Sequence, residues 1–302
     1  MKKGLRLGID LGGTSVKMAL VDERGRVVDG IRVETSGKPR KLVRSLKIAA
    51  VSLLKGRRPL GTGVGVAGDV DPVRGVVRFS PNLHWKNVPI KALMSAGFPK
   101  PLFVDNDATA AAWGAYHVDL KGRSKNFVLL TLGTGVGGGL VLDGKLYRGA
   151  TGTAGELGHV CVDPDGPLCG CGSTGCLEAF VGNRHLVRWA MEEYARRGRR
   201  AHEGLTPKDL NHFARRGDPV AKAVWKRMGR ALGTGVAGFL NIFNPDTVLL
   251  TGGVAAAAPH FMPSLRREVS VRAFATPRRA ASILVSPQNN DLGVIGAALL
   301  VP

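Results

Sequence analysis

Between His159 and Glu178 the chain reads H-V-C-V-D-P-D-G-P-L-C-G-C-G-S-T-G-C-L-E, and all four of its cysteines fall inside that run. Cys169, Cys171 and Cys176 form a C-x-C-x4-C knuckle padded with glycine, and His159 stands ten residues upstream of it. Thiolate and imidazole are the ligands tetrahedral zinc prefers, and structural zinc sites close on four of them. Glycine lets the backbone turn tightly enough to aim three sulfurs at one point. The spacing therefore points to a structural Zn2+ held by His159, Cys169, Cys171 and Cys176. Cys161, between Val160 and Val162, is expected to pack as a small apolar side chain. A disulfide is the ordinary alternative, but Cys169 and Cys171 are too close in sequence to pair comfortably. Nothing else in the chain suggests an oxidising compartment.

Three further groups of residues carry chemistry. Asp10-Leu11-Gly12-Gly13-Thr14 ends an apolar run; its glycines free backbone N–H groups to face an anion, and Thr14 adds a hydroxyl. Asp10 is placed to hold Mg2+, through water. Gly133-Thr134-Gly135 opens a second turn of the same kind, and Gly252-Gly253 a third candidate for phosphate or nucleoside. Neither glycine turn has the G-K-[ST] of a Walker loop. Asp105-Asn106-Asp107 closes another apolar run; a helix cap is the common job of such residues, but two carboxylates around an Asn also suit a general base and its orienting group. Glu156 and Glu178 flank the metal segment, and carboxylates accept several hydrogen bonds each, as recognition of a polyol requires. Together these features imply a nucleotide site beside a hydroxyl-rich site with a carboxylate base, which points to phosphoryl transfer to an alcohol.

The elements that must position these groups follow from periodicity. Residues 4–33 read as three strands with glycine-bearing turns, and residues 126–148 repeat the design, so an antiparallel meander is expected twice. A helix is expected over 39–55, a strand over 61–68, a loop at 80–85, a strand at 102–107 and an alanine-rich helix from Ala108. Asp218-Pro219 is a good helix start. Val220, Val224, Met228, Leu232, Val236 and Leu240 then recur every four residues as one apolar stripe. T-V-L-L-T (247–251) reads as a buried strand, and G-V-I-G-A-A-L-L as a helix returning to the first domain. The duplicated pattern predicts an α/β protein of two domains facing a cleft, divided as a small domain of residues 1–107 and 288–302 and a large one of 108–287 carrying the zinc loop.

Composition sets the class. The chain has 302 residues, 44% of them apolar, enough for a sizeable core. No apolar run is long enough to span a membrane. The N-terminus begins like a signal peptide, but Arg6 and Asp10 interrupt it, so a soluble cytoplasmic protein is expected. The net charge of +20 raises the question of nucleic acid. Its Lys and Arg are dispersed, no helix-turn-helix or zinc-finger spacing accompanies them, and aromatics are only 6%, too few for a base-stacking platform. A solvated basic surface that attracts anionic substrates is the expectation, and no nucleic-acid partner is expected. Nothing in the motifs accounts for the size of the excess.

The motifs D-L-G-G-T (10–14), V-D-N-D-A (104–108), L-G-T-G-V-G-G-G (132–139), G-E-L-G-H (155–159), C-G-C-G-S-T-G-C-L-E (169–178) and T-G-G-V (251–254) resemble, in order, those of the ROK family of sugar kinases. The resemblance covers nearly the whole chain. It implies an actin-like, ribonuclease-H-like two-domain ATPase fold with an interdomain cleft, and transfer of the ATP γ-phosphate to a hexose, usually at the 6-hydroxyl. It implies that Asp107 takes the hydroxyl proton and that Asn106, Glu156, His159 and Glu178 hold the sugar's other hydroxyls. Gly68 in V-A-G and Asn82 in S-P-N would add sugar contacts. His159 would bind zinc through one ring nitrogen and face the sugar with the other. ATP with Mg2+ and a structural Zn2+ are the implied cofactors, and a homo-oligomer, dimer or tetramer, the implied assembly. Ser15 stands where the family often has Lys, and Thr109 where it often has Asn.

Glucose is the expected substrate, in glycolytic carbohydrate metabolism. Mannose, N-acetylmannosamine, N-acetylglucosamine, fructose and allose differ from it by one or two groups, and discrimination among them depends on detailed placement of polar partners. A sugar-sensing regulator is the expectation from a different class. Family repressors carry an added N-terminal helix-turn-helix, for which the nine residues before Asp10 leave no room. A polyphosphate-using glucokinase is a third reading, disfavoured because such relatives tend to lack the cysteine knuckle.

Overall fold

The computed structural model describes residues 4–287 and 291–302. Alternation of apolar and small residues builds the first sheet from strands β1 (Arg6–Leu11), β2 (Ser15–Val21), β3 (Val27–Glu34), β4 (Thr62–Val66) and β8 (Leu102–Asn106), in the order β3-β2-β1-β4-β8. β1 to β3 form the expected antiparallel meander, while β1, β4 and β8 run parallel. Period-two patterning gives the sheet two different faces. Leu7, Ile9, Leu11, Val64, Val66 and Val104 pack in a core with Leu42, Leu46 and Ala50 of the helix Pro39–Leu54. Gly8 and Gly63 lie on the opposite face. There the helix Leu292–Leu299 lies almost on the backbone, and a Cβ at either glycine would meet its carbonyl oxygens.

The C-terminal helix thus does return to the first sheet. Arg6 is fully buried and donates to the carbonyls of Val301 at 2.9 Å and Pro302 at 3.1 Å, which pins the chain end beside β1. Between β4 and β8 a small antiparallel sheet, β5 (Asp69–Asp71), β6 (Val76–Ser80) and β7 (Trp85–Val88), frames the loop at 81–84. That sheet is an addition to the sequence reading, which saw only the loop.

The second sheet has the order β11-β10-β9-β12-β13, from β9 (Phe127–Leu132), β10 (Val136–Leu142), β11 (Lys145–Leu146), β12 (Thr247–Thr251) and β13 (Ser282–Val285). β10 and β11 are antiparallel, and β9, β12 and β13 parallel, so the second sheet repeats the strand order of the first. The helix Pro219–Phe243 starts where expected: the Asp218 side chain accepts the Ala221 N–H, a cap worth about 1 kcal/mol. Val220, Val224, Met228, Leu232, Val236 and Leu240 are all buried.

The chain forms two compact units, Met1–Lys125 with Gly139–Gly155 and Asn290–Pro302, and Asn126–Gly138 with Glu156–Asn289. The division differs from one made after residue 107. The helix Asp107–Val118 stays with the first unit because Gly296 lets the helix Leu292–Leu299 come against its Ala110 carbonyl, where a Cβ would collide. The anticipated boundary at residue 288 lies outside the described residues. No helix among the described residues is long and apolar enough to cross a membrane.

Candidate active site

In the first unit the carboxyl ends of three parallel strands lie side by side. Asp10 is level with Gly65, and Gly65 with Asp105; Leu11 is level with Val66, and Val66 with Asn106. Strand ends of this kind are where α/β sheets present ligand-binding groups. The structure therefore brings together Asp10, Gly12, Gly13, Thr14, Gly68, Asn106 and Asp107. The β1–β2 turn is tethered by Thr35, whose N–H donates to the Thr14 carbonyl at 3.1 Å and whose hydroxyl donates to the Gly12 carbonyl at 2.8 Å. Asn82 joins the group as well: a Cβ at Gly13 would lie 3.0 Å from the Asn82 Cβ. Its loop is anchored by buried Ser80, Leu83 and Trp85.

The Asp105-Asn106-Asp107 triplet divides its labour. Asn106 is the helix cap: its side-chain oxygen accepts the Thr109 N–H at 2.9 Å, and its amide donates to the Gly68 carbonyl at 3.0 Å. Asp107 opens the helix; its Oδ1 accepts the Ala108 N–H at 2.9 Å, and its carboxylate also accepts from the Asn106 side chain. Desolvation pushes the Asp107 carboxyl above the usual carboxylate range, against the lowering effect of that N–H. Asp10 is raised to about 6, first by desolvation and then by the charge of Asp107, with Lys17 opposing. Two desolvated carboxylates that repel each other form a site a cation would relieve.

Asp105 is 2% exposed and is held in an ion pair with Arg148, Nε at 2.8 Å and Nη2 at 2.7 Å from Oδ2. Sequence reasoning missed Arg148. Its partner is far away in the chain, and no local pattern marks it.

In the second unit β9 and β12 run level to Thr131 and Thr251. They deliver Gly133-Thr134-Gly135 and Gly252-Gly253 at the same sheet end. Gly252 has φ +93°, and a Cβ there would meet the Leu132 carbonyl, so this position requires glycine.

The metal loop is a folded hairpin, with bridges pairing Cys161 with Cys176 and Leu168 with Thr174. All four cysteines are free thiols. The ligand atoms of His159, Cys169, Cys171 and Cys176 lie within 4.8 Å of one another. The Cys171–Cys176 Sγ separation is 3.7 Å, and Cys169 Sγ lies 3.7 Å from His159 Nδ1. A tetrahedron with metal–sulfur bonds of about 2.3 Å has edges of about 3.8 Å, so the donor set fits zinc. Burial raises the Cys169 thiol to about 12 and also raises Cys176, while the Ser173 N–H lowers Cys171. A cation must therefore displace protons to bind. With Nδ1 facing the cysteines, His159 Nε2 is left 3.9 Å from Glu156 Oε2. Glu178 Oε2 accepts the Val136 N–H at 3.0 Å. Cys161 corrects the sequence reading: its side chain is exposed rather than packed, because only its backbone is engaged in the hairpin.

The ROK family model matches residues 6–302. The chain belongs to the ROK family. It is 34% identical over 306 residues to a glucokinase of Streptomyces coelicolor, covering 98% of this chain and 96% of that protein. A xylose repressor of Caldicellulosiruptor bescii is 30% identical over 312 residues, 99% of this chain and 78% of that protein. A solved ROK glucokinase from Streptomyces griseus, in complex with glucose and AMPPNP, superposes with a TM-score of 0.85 at 33% identity, covering 98% of this chain and 99% of that one. This ROK likeness, with the repeated strand order, gives the chain the actin-like ATPase fold expected from its motifs.

Proposed function

We propose that this chain is an ATP-dependent hexose kinase that phosphorylates glucose at its 6-hydroxyl. The observation that carries the reading is the chain-long likeness to ROK glucokinases, one of them holding glucose and a nucleotide analogue. The raised carboxyl of Asp107 adds to it, since a base works best when its pKa approaches the working pH. The Asp107 carboxylate takes the hydroxyl proton as the sugar oxygen bonds to the γ-phosphorus and the bond to ADP breaks. Asn106, fixed by Thr109 and Gly68, also hydrogen-bonds the Asp107 carboxylate and so orients the base. Glu156, His159, Glu178, Gly68 and Asn82 would hold the rest of the sugar.

The N–H groups of Gly12, Gly13, Thr14 and of Thr134 and Gly135, with Gly252 and Gly253, suit the nucleotide, while the Gly133 N–H closes the second turn on the Gly135 carbonyl at 3.0 Å. Mg2+ bound with ATP would neutralise phosphate charge, and Asp10, whose own desolvation a cation offsets, would hold it through water. Zn2+ would be structural, on His159, Cys169, Cys171 and Cys176.

The family likeness also supports a cytoplasmic enzyme that assembles as a homo-oligomer, dimer or tetramer, which light scattering would measure. A coupled assay for ADP release across glucose, mannose, fructose, allose and the N-acetylated hexosamines tests the reading. Turnover fastest with glucose is expected; no turnover with any hexose, or turnover only with polyphosphate, would overturn it.

A further inference from the structure

The metal loop and the short helix that follows it touch every residue of the turn after β9. The Asn183 N–H donates to the Gly133 carbonyl at 3.0 Å. A Cβ at Gly182 would lie 3.0 Å from the Thr134 carbonyl oxygen. A Cβ at Gly135 would overlap Glu178 Oε2, and that same oxygen accepts the Val136 N–H at 3.0 Å. On the other side, Gly158 lies so close under the Val136 carbonyl that a Cβ there would collide with it. The Val136 and Gly135 contacts come from residues tied to the ligands. Gly158 precedes His159; Glu178 stands two residues after Cys176, and its Oε1 lies 3.8 Å from Cys169 Sγ.

We propose that the Cys/His metal site is the template for the Gly133–Val136 turn, with Glu178 and Gly158 as the positioning residues that transmit its shape. Affinity for the nucleotide's phosphates, and not only for the sugar, then depends on the metal. The inference rests on reading Gly133-Thr134-Gly135 as a phosphate-binding turn. The physical reason is preorganisation. A glycine turn is the most mobile kind of backbone, and its N–H groups attract an anion well only if their directions are fixed before it arrives. Val136 donates to a carboxylate, which makes this the strongest of the restraints. Glu178 uses Oε2 on the turn while its Oε1 lies beside Cys169 Sγ, so one side chain links the metal ligands to the turn.

Calorimetric titration with magnesium AMPPNP, without sugar, tests this on four proteins: the zinc-loaded enzyme, the chelator-treated enzyme, Glu178→Ala, and chelator-treated Glu178→Ala. Metal content is measured alongside. Zinc removal and Glu178→Ala are each expected to weaken nucleotide binding roughly tenfold, the size of one charge-assisted hydrogen bond. The two losses should not multiply in the doubly perturbed protein, because they act through one contact. A stripped protein that keeps its circular dichroism and binds nucleotide within twofold of the loaded one, while losing glucose affinity, overturns the inference and leaves the kinase reading standing. So do losses that multiply. If stripping unfolds the chain, Gly158→Ala replaces it: one zinc retained with roughly tenfold weaker nucleotide is expected, and zinc retained with unchanged nucleotide affinity refutes the coupling. A loaded wild-type protein that binds no nucleotide removes the kinase reading and this inference together.

Discussion

Replacing Arg148 by methionine tests how the catalytic strand end is held. The guanidinium makes two contacts, at 2.8 and 2.7 Å, to one oxygen of a carboxylate that is 2% exposed. Without it Asp105 keeps the N–H of Asn106 as a partner. Breaking a buried ion pair costs about 3–5 kcal/mol. Arg148 is partly exposed, so water screens the pair, and about 2–4 kcal/mol is a fairer figure. For a chain of this size, with an unfolding entropy of about 0.6 kcal/mol/K, that is a fall in Tm of roughly 3–6 °C.

The sign with pH is also fixed. Desolvation already holds the Asp105 carboxyl above its usual range, against the lowering effect of Arg148. Losing Arg148 raises it further, so the penalty is full above the new folded-state pKa and fades as pH falls through it. Scanning calorimetry at pH 8 and pH 5 should show a wide gap between variant and parent that narrows at the lower pH. Adding Asp105→Asn should recover much of the loss, since no buried charge remains. A gap under 2 °C at pH 8, or one that does not narrow, would refute the reasoning.

Two other predictions concern the cations. The rate with MgATP, as kcat/KM, should fall as pH drops through about 6, where Asp10 gains a proton and loses its hold on magnesium; a flat profile to pH 4.5 would remove Asp10 from that role. Cys171→Ser should lose the zinc, loosen Glu156 and Glu178 and raise the KM for sugar several-fold, checked by metal analysis beside steady-state kinetics. Absence of zinc from the intact protein would contradict it.

Glycine turns and period-two strands made both sheets readable, because hairpin turns and alternation are local signals. The Asp218 cap and its four-residue stripe were readable for the same reason. The cysteine knuckle was legible as a metal site since its spacing constrains where the sulfurs can point, and the four ligands do converge. What escaped was non-local or weakly patterned. Strands β5 to β7 are three to five residues long and partly polar, so no period emerges. Arg148 and Asp105 find each other only through the fold. Cys161 was misjudged from its valine neighbours, although pairing in a surface hairpin turns alternate side chains outward. The helix Asp107–Val118 joined the first unit through close backbone packing that glycine permits and no motif advertises.

The central claim is that Asp107 accepts the proton of a sugar hydroxyl during phosphoryl transfer from ATP. Its most direct test is Asp107→Ala, with glucose binding measured by calorimetry and product formation followed by phosphorus NMR. The account predicts glucose 6-phosphate from the parent enzyme, glucose binding retained in the variant, and a kcat lower by ~10²–10⁴-fold, the usual contribution of a general base. A variant that turns over glucose at the parental rate would contradict it.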